Sequence, residues 1–131
     1  MKRRITTDDL LALSAWRPVK TPYGWLALTH FVNKVEEEIP SWFKDNHKVY
    51  YGGAMLLDLD DPTKVIGIGK TPLLVPEEAY EIEGCTGDTV FPGGMILEDS
   101  GEVKIYYGAA DTCECMAVCD IGDLINFVMQ K

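Results

Sequence analysis

Apolar residues along this chain recur mostly at every second position, the period of a half-buried strand rather than of a helix. "GWLALTHFV" reads as a strand that follows a Pro22-Tyr23-Gly24 turn. "KVYYGGAMLLDL" is a long apolar run, too β-rich and too broken by glycine for a helix. "DDPTKV" supplies a proline-containing turn ahead of the short strand "VIGIG". "TVFPGGMILE" and "EVKIYYGA" flank Asp99-Ser100-Gly101, a hairpin signal. Only the two ends look helical. "TTDDLLAL" has Thr6 or Thr7 as a cap with acids in its first turn, and "IGDLINFVMQ" forms a short amphipathic closing helix.

A weak repeat runs through this pattern. "GWLALTH" with "YYGGAMLLDLDDPTKV" echoes "VKIYYGA" with "CECMAVCDIGDLINFV". Each unit is a strand, a loop, a second strand ending in aspartate (Asp58, Asp120) and a polar turn. The first loop is the longer, holding "NKVEEEIPSWFKDNH", whose Glu36, Glu37 and Glu38 read as a solvated face. Repeated strand pairs of this size suggest blades of a β-propeller. At roughly 40–50 residues per blade, the chain holds about two to three. The expected class is all-β, a partial propeller with a short terminal helix.

Composition narrows the function. Twenty-one acidic against twelve basic residues give a net charge of -9, which repels phosphate backbones and argues against nucleic acid as a partner. The start, Met1-Lys2-Arg3-Arg4, is followed by Asp8 and Asp9 instead of an apolar core, so no signal peptide or membrane span is expected and the expected location is cytoplasmic. The four cysteines, Cys85, Cys113, Cys115 and Cys119, lack the paired spacing zinc prefers, and His30 and His47 lie far upstream. Cys113, Cys115 and Cys119 share one strand parity, which predicts small buried apolar groups rather than a metal site.

Four ordered stretches have a familiar form: "WRPVKTPYGWLALTH", "YYGGAMLLDLDDPTKVIG", "EIEGCTGDTVFPGGMILEDSGEVKIYYGAADT" and "CDIGDLI". Together they resemble the C-terminal half of the β-mannoside phosphorylases, glycoside hydrolase family 130, over about Trp16 to Phe127. Residues 1–15 stand apart as a variable N-terminal segment, and 16–131 align with the C-terminal blades. The resemblance implies a five-bladed propeller and an inverting phosphorolysis in which inorganic phosphate attacks a β-mannoside and α-mannose 1-phosphate leaves. It implies phosphate as co-substrate and no cofactor. The substrate class implied is a β-1,4-mannoside, mannosyl-glucose or a mannooligosaccharide. The family's proton-donating aspartate and phosphate-holding arginines have no matching position here. Turnover is therefore expected to need the N-terminal propeller half or homo-oligomer subunits. Two other readings stand beside it, a β-mannoside hydrolase of the same superfamily and a non-catalytic carbohydrate-binding propeller fragment.

The resemblance assigns roles position by position. Lys20 in "PVKTPYGW" matches a phosphate-contacting lysine, against the plain reading of a solvated turn residue. Arg17 is a weaker second cation. His30, at the end of "WLALTH", matches a phosphate-side histidine, and its parity with Leu26 and Leu28 also suits a satisfied core histidine. Tyr50 matches a tyrosine facing phosphate and sugar, while Tyr51 alternates to the other face. Phe91 matches an aromatic wall for the sugar, and Asp88 stands where relatives commonly carry asparagine. Asp111, in "YYGAADT", matches the aspartate that holds the mannosyl unit. Its alternative is an Asx-turn or cap. Asp58, Asp60, Asp61 and Asp120 read as turn formers.

Overall fold

In the computed structural model, residues 17–34 and 48–130 are described. The expected N-terminal helix and the Glu36–Glu38 face lie outside them. The longest ladder pairs β2 (Gly24–Lys34) with β3 (Lys48–Leu57), antiparallel from Trp25↔Leu57 to Lys34↔Lys48. β1 (Val19–Thr21) and β4 (Val65–Ile68) complete a four-stranded sheet in the order β1-β2-β3-β4. The β1–β2 turn needs glycine at its exit. Gly24 has φ +154, and a Cβ there would strike the Leu57 carbonyl and lie 2.9 Å from the Leu56 side chain.

The second sheet is a meander of β5 (Val90–Leu97), β6 (Glu102–Ala109) and β7 (Cys113–Asp120). As the sequence reading expects, Asp99-Ser100-Gly101 turns β5 into β6. β2 and β3 hold the second and third places of their sheet, as β6 and β7 do in theirs, so the weak repeat is structural. Between the sheets lies a helical turn, α1 (Ala79–Ile82), which is too short for any periodicity to announce. The chain closes in α2 (Ile121–Met129), capped by Asp120, whose carboxylate accepts from the Gly122 N–H at 2.7 Å.

Alternation decides which faces meet. Leu26, Leu28, Ala54 and Leu56 of the first sheet pack against Val103 and Ile105 of the second and against Leu124, Ile125 and Val128 of α2. Each leucine, isoleucine or valine among them, fully buried, contributes about 1.5–3 kcal/mol relative to exposure. α2 closes one end of this interface, because the Ile121 N–H donates to the Gly101 carbonyl and the Gln130 side chain to that of Ile68. The two outer faces differ. Ala27 and Met55 are buried on the first, whereas Ile96, Met116 and Val118 on the second are about half exposed, at 49%, 50% and 51%.

One cysteine expectation needs correcting. Cys115 and Cys119 turn inward and are half-buried, but Cys113 is exposed. It shares their parity, yet it is the first residue of an outer strand and sits beyond the packed part of the face. Among the described residues no cluster of three or more His, Cys, Asp or Glu has metal-holding geometry, and no helix is long and apolar enough to cross a membrane.

Candidate functional site

The end of the sheet interface opposite α2 is built around the β6–β7 turn. There the Thr112 N–H donates to the Ala109 carbonyl, and both central residues are left-handed, Ala110 at φ 47 and Asp111 at φ 52. Positive φ at both places is the sign pattern of a type I′ turn, which usually recruits asparagine and glycine. A third left-handed non-glycine residue, Asp88 at φ 51, lies in the neighbouring loop. Such conformations cost roughly 1–3 kcal/mol each and persist only where the surroundings enforce them.

The enforcing contacts are backbone hydrogen bonds. Ala110, fully buried, donates to the Thr89 carbonyl at 2.9 Å and accepts from the Thr86 N–H at 3.0 Å. The Thr112 hydroxyl donates to the Ala110 carbonyl at 3.0 Å and accepts from the Cys85 N–H at 3.2 Å. Gly84 fits under the turn only because it has no side chain. A Cβ there would collide with the Thr112 hydroxyl and lie 2.6 Å from Ala110. Asp111 itself is exposed, and its carboxylate has no hydrogen-bond or ion-pair partner among the described residues. The turn therefore does not consume the carboxylate as an Asx-turn or cap would.

Glu81 anchors the loop and was not anticipated. It is 5% exposed, and it accepts from the backbone N–H groups of Glu77 (2.8 Å) and Glu78 (2.9 Å) and from the Tyr107 hydroxyl (2.7 Å). Burial pushes its pKa up, but those hydrogen bonds outweigh burial and hold it below the usual glutamate value. Tyr107 moves the other way, pushed well up by burial and by the carboxylate it serves. The Glu81 and Ile82 carbonyls in turn accept from Thr89 and Asp88. A signal existed, since Glu78 and Glu81 have the spacing of a capping box with glutamate in place of the usual serine or threonine.

Most of the residues singled out in the sequence gather at this end. The His30 ring lies 4.6 Å from that of Phe91, tilted by 40°. Tyr50 pairs with Val32 on the face His30 shares, and its N–H donates to the Asp88 carbonyl at 2.9 Å. Tyr51 alternates away, as expected, and it stacks on Phe31. His30 is not a satisfied core histidine. Its Nδ1 is buried with no hydrogen-bond partner among the described residues, and burial lowers its pKa, so the ring is neutral near pH 7. Lys20 is not with them. It pairs with Trp25, its ammonium 5.7 Å from the indole centroid, on the opposite face of β2 from His30 and roughly 16 Å along the strand.

Comparison with known proteins decides the family. The sequence matches the family model described as β-1,4-mannooligosaccharide phosphorylase over residues 3–130, a span that takes in most of the first fifteen residues as well. This chain belongs to glycoside hydrolase family 130. It is 42% identical to a β-1,2-mannobiose phosphorylase of Listeria innocua over 104 residues, 79% of this chain and 25% of that protein. It is 35% identical to a β-1,4-mannooligosaccharide phosphorylase of Ruminococcus albus over 112 residues, 85% and 31% of the two chains. The solved Listeria innocua enzyme with β-1,2-mannobiose bound superposes with a TM-score of 0.70 at 36% identity, covering 87% of this chain and 29% of that one. A further structure, described as showing that the family contains hydrolases targeting β-1,2 mannosidic linkages in Candida mannan, has a TM-score of 0.61 at 31% identity, covering 76% and 27%.

The chain spans a quarter to a third of the length of the relatives it matches. Its two antiparallel sheets and C-terminal helix match part of the five-bladed family 130 propeller. Within that frame, this end of the chain offers an exposed carboxylate, an aromatic ring and a neutral imidazole. Such groups can bind and orient a sugar.

Proposed function

We propose that this chain supplies C-terminal blades of an inverting β-mannoside phosphorylase that releases α-mannose 1-phosphate, with inorganic phosphate as nucleophile and no cofactor. The observation that carries the reading is the Asp111 turn. Three left-handed residues and a web of backbone hydrogen bonds present a carboxylate that the fold itself does not use. In this reading Asp111 accepts hydrogen bonds from mannosyl hydroxyls, Phe91 forms the wall of the sugar subsite and Asp88 borders it. Tyr50 and the neutral His30 face phosphate. For Lys20 the support is the resemblance alone, because its cation rests on Trp25 instead. A cytoplasmic location belongs to the same proposal.

Linkage is part of what the experiment must decide. The sequence reading favours β-1,4, and relatives of both linkages match, the β-1,2 enzymes at the higher identity. A second reading, hydrolysis by water, is favoured by the solved relative whose description places hydrolases in the family. The test joins this chain to the N-terminal two thirds of a family relative and offers β-1,2- and β-1,4-mannobiose with and without phosphate. Phosphate-dependent release of mannose 1-phosphate is expected from the joined protein and none from the 131 residues alone. Mannose release that ignores phosphate would favour the hydrolase. Robust turnover by the chain alone would place an overlooked acid within it.

A further inference from the structure

The proposed sugar chemistry uses neither of the two cysteines next to the Asp111 turn. Cys113 and Cys115 occupy alternate positions of β7, so both side chains leave the same face, and their sulfur atoms lie 4.0 Å apart. Cys113 is exposed and Cys115 half-buried, which gives the pair one open side. Alternate residues of a strand are about 6.6 Å apart at Cα. That is near the upper limit of about 4.4–6.8 Å that a disulfide spans, so a direct sulfur–sulfur bond would require the strand to pucker. One atom bonded to both sulfurs closes the same gap by side-chain rotation. A structural zinc would need four ligands, whereas a soft centre is satisfied by two thiolates.

We propose that Cys113 and Cys115 form a dithiol site for a single soft, thiophilic atom of the trivalent arsenical class. With phenylarsine oxide the balance is simple. Two arsenic–sulfur bonds form, the arsenic–oxygen bond breaks, and the oxygen leaves as water with the two thiol hydrogens. Arsenic stays trivalent and nothing is oxidised. Cys113, on the open side, reacts first. The Cys115 thiol, held protonated by burial and by the neighbouring sulfur, then reacts within the same molecule, where its effective concentration is high.

The experiment treats the reduced chain with phenylarsine oxide and reads intact mass together with remaining free thiols. One adduct per chain with loss of two of the four thiols is expected. Cys113→Ser and Cys115→Ser should each weaken capture by at least about tenfold, the loss expected when a second bond can no longer close. Cys85→Ser and Cys119→Ser should leave it unchanged. An adduct that survives Cys113→Ser undiminished, or one that disappears with Cys85→Ser, overturns the assignment. Cys113 is exposed, so its variant decides the matter even if Cys115→Ser unfolds.

Discussion

Between β3 and β4, the Asp58 carboxylate accepts from the backbone N–H groups of Asp60 (3.0 Å) and Asp61 (2.9 Å), while Asp61 accepts from Thr63 and pairs with Lys64 at 3.7 Å. Between β6 and β7, Asp111 sits in a shorter turn, residues 110–112 against 58–64, and its carboxylate accepts no hydrogen bond from the described backbone. In the first turn the side chain organises the loop, at ordinary φ, and the Asp61 and Asp60 N–H bonds lower its pKa. In the second the loop organises the side chain, at left-handed φ, through bonds made by Thr86, Thr89 and Thr112. A turn aspartate that is structural and one that is available for a ligand are thus told apart by where the hydrogen bonds end.

The largest test of that contrast is a crossed pair of substitutions in the joined enzyme. Asp111→Ala should lower mannoside affinity and catalysis by at least about tenfold with little change in folding midpoint, since charged hydrogen bonds are worth roughly 1.5–3 kcal/mol each. Asp58→Ala should lower the midpoint and spare catalysis. Kinetics and thermal melts read both, and equal losses in the two variants would dissolve the distinction. Next in size, Gly84→Ala should cost about 1–3 kcal/mol by overpacking the loop beneath Ala110. Urea titration measures it, and an unchanged midpoint would show that this packing does not hold the turn.

Tyr107→Phe removes the hydroxyl that serves Glu81 and should cost about 1–2 kcal/mol. It also has a pH signature. Glu81 titrates below its usual 4.5 in the folded state, so its contribution is present above 4.5 and fades as pH falls through the lower folded value. Tyr107 titrates above its usual 10.0, so its contribution is present below 10.0 and fades as pH rises beyond it. Tyr80, Lys104, Cys115 and Cys119 are raised too, so stability profiles should show the alkaline loss shrink in the phenylalanine variant; an unchanged loss would assign that limb to those groups. Smallest of all, Ala110→Gly should be close to neutral. Relief of about 1–2 kcal/mol of left-handed strain is offset by a lost methyl, about 0.8 kcal/mol, and glycine's added chain freedom, about 0.5–1 kcal/mol. A loss well beyond 1 kcal/mol by denaturant titration would mean the turn is not strained.

Alternation made the strands legible. Glu102 to Ala109 reads as polar and apolar in turn, and the odd-numbered members are the buried ones. The Asp99-Ser100-Gly101 hairpin and the closing helix were equally plain, because turn chemistry and capping are local. The Asp111 turn was visible only as a motif. Alanine at a left-handed position gives no warning, since the enforcing partners, Thr86 and Thr89, are distant in sequence. Glu81 hid in an acidic stretch where a solvated face is the ordinary expectation. Lys20 stands apart for a different reason. The resemblance set it with the phosphate residues, whereas register places it opposite Trp25, and parity along β2 then fixes the face.

The β5-β6-β7-α2 meander also bears on how the chain assembles. Its strands pair only with sequence neighbours, its turns at 98–101 and 110–112 are short, and α2 follows β7 directly. β2 and β3 must instead close over residues 35–47, and the first sheet meets the second through the pairing of Tyr50 with Thr89. Loop closure costs entropy before distant contacts repay it, so low contact order favours early formation. We expect the C-terminal meander to gain amide protection first in pulse-labelled hydrogen exchange, with the longer sheet condensing onto it. Protection of β2 ahead of β6 would reverse that order. In the expected order, the strand that leads to Asp111 is laid down before the rest of the site has a surface on which to form.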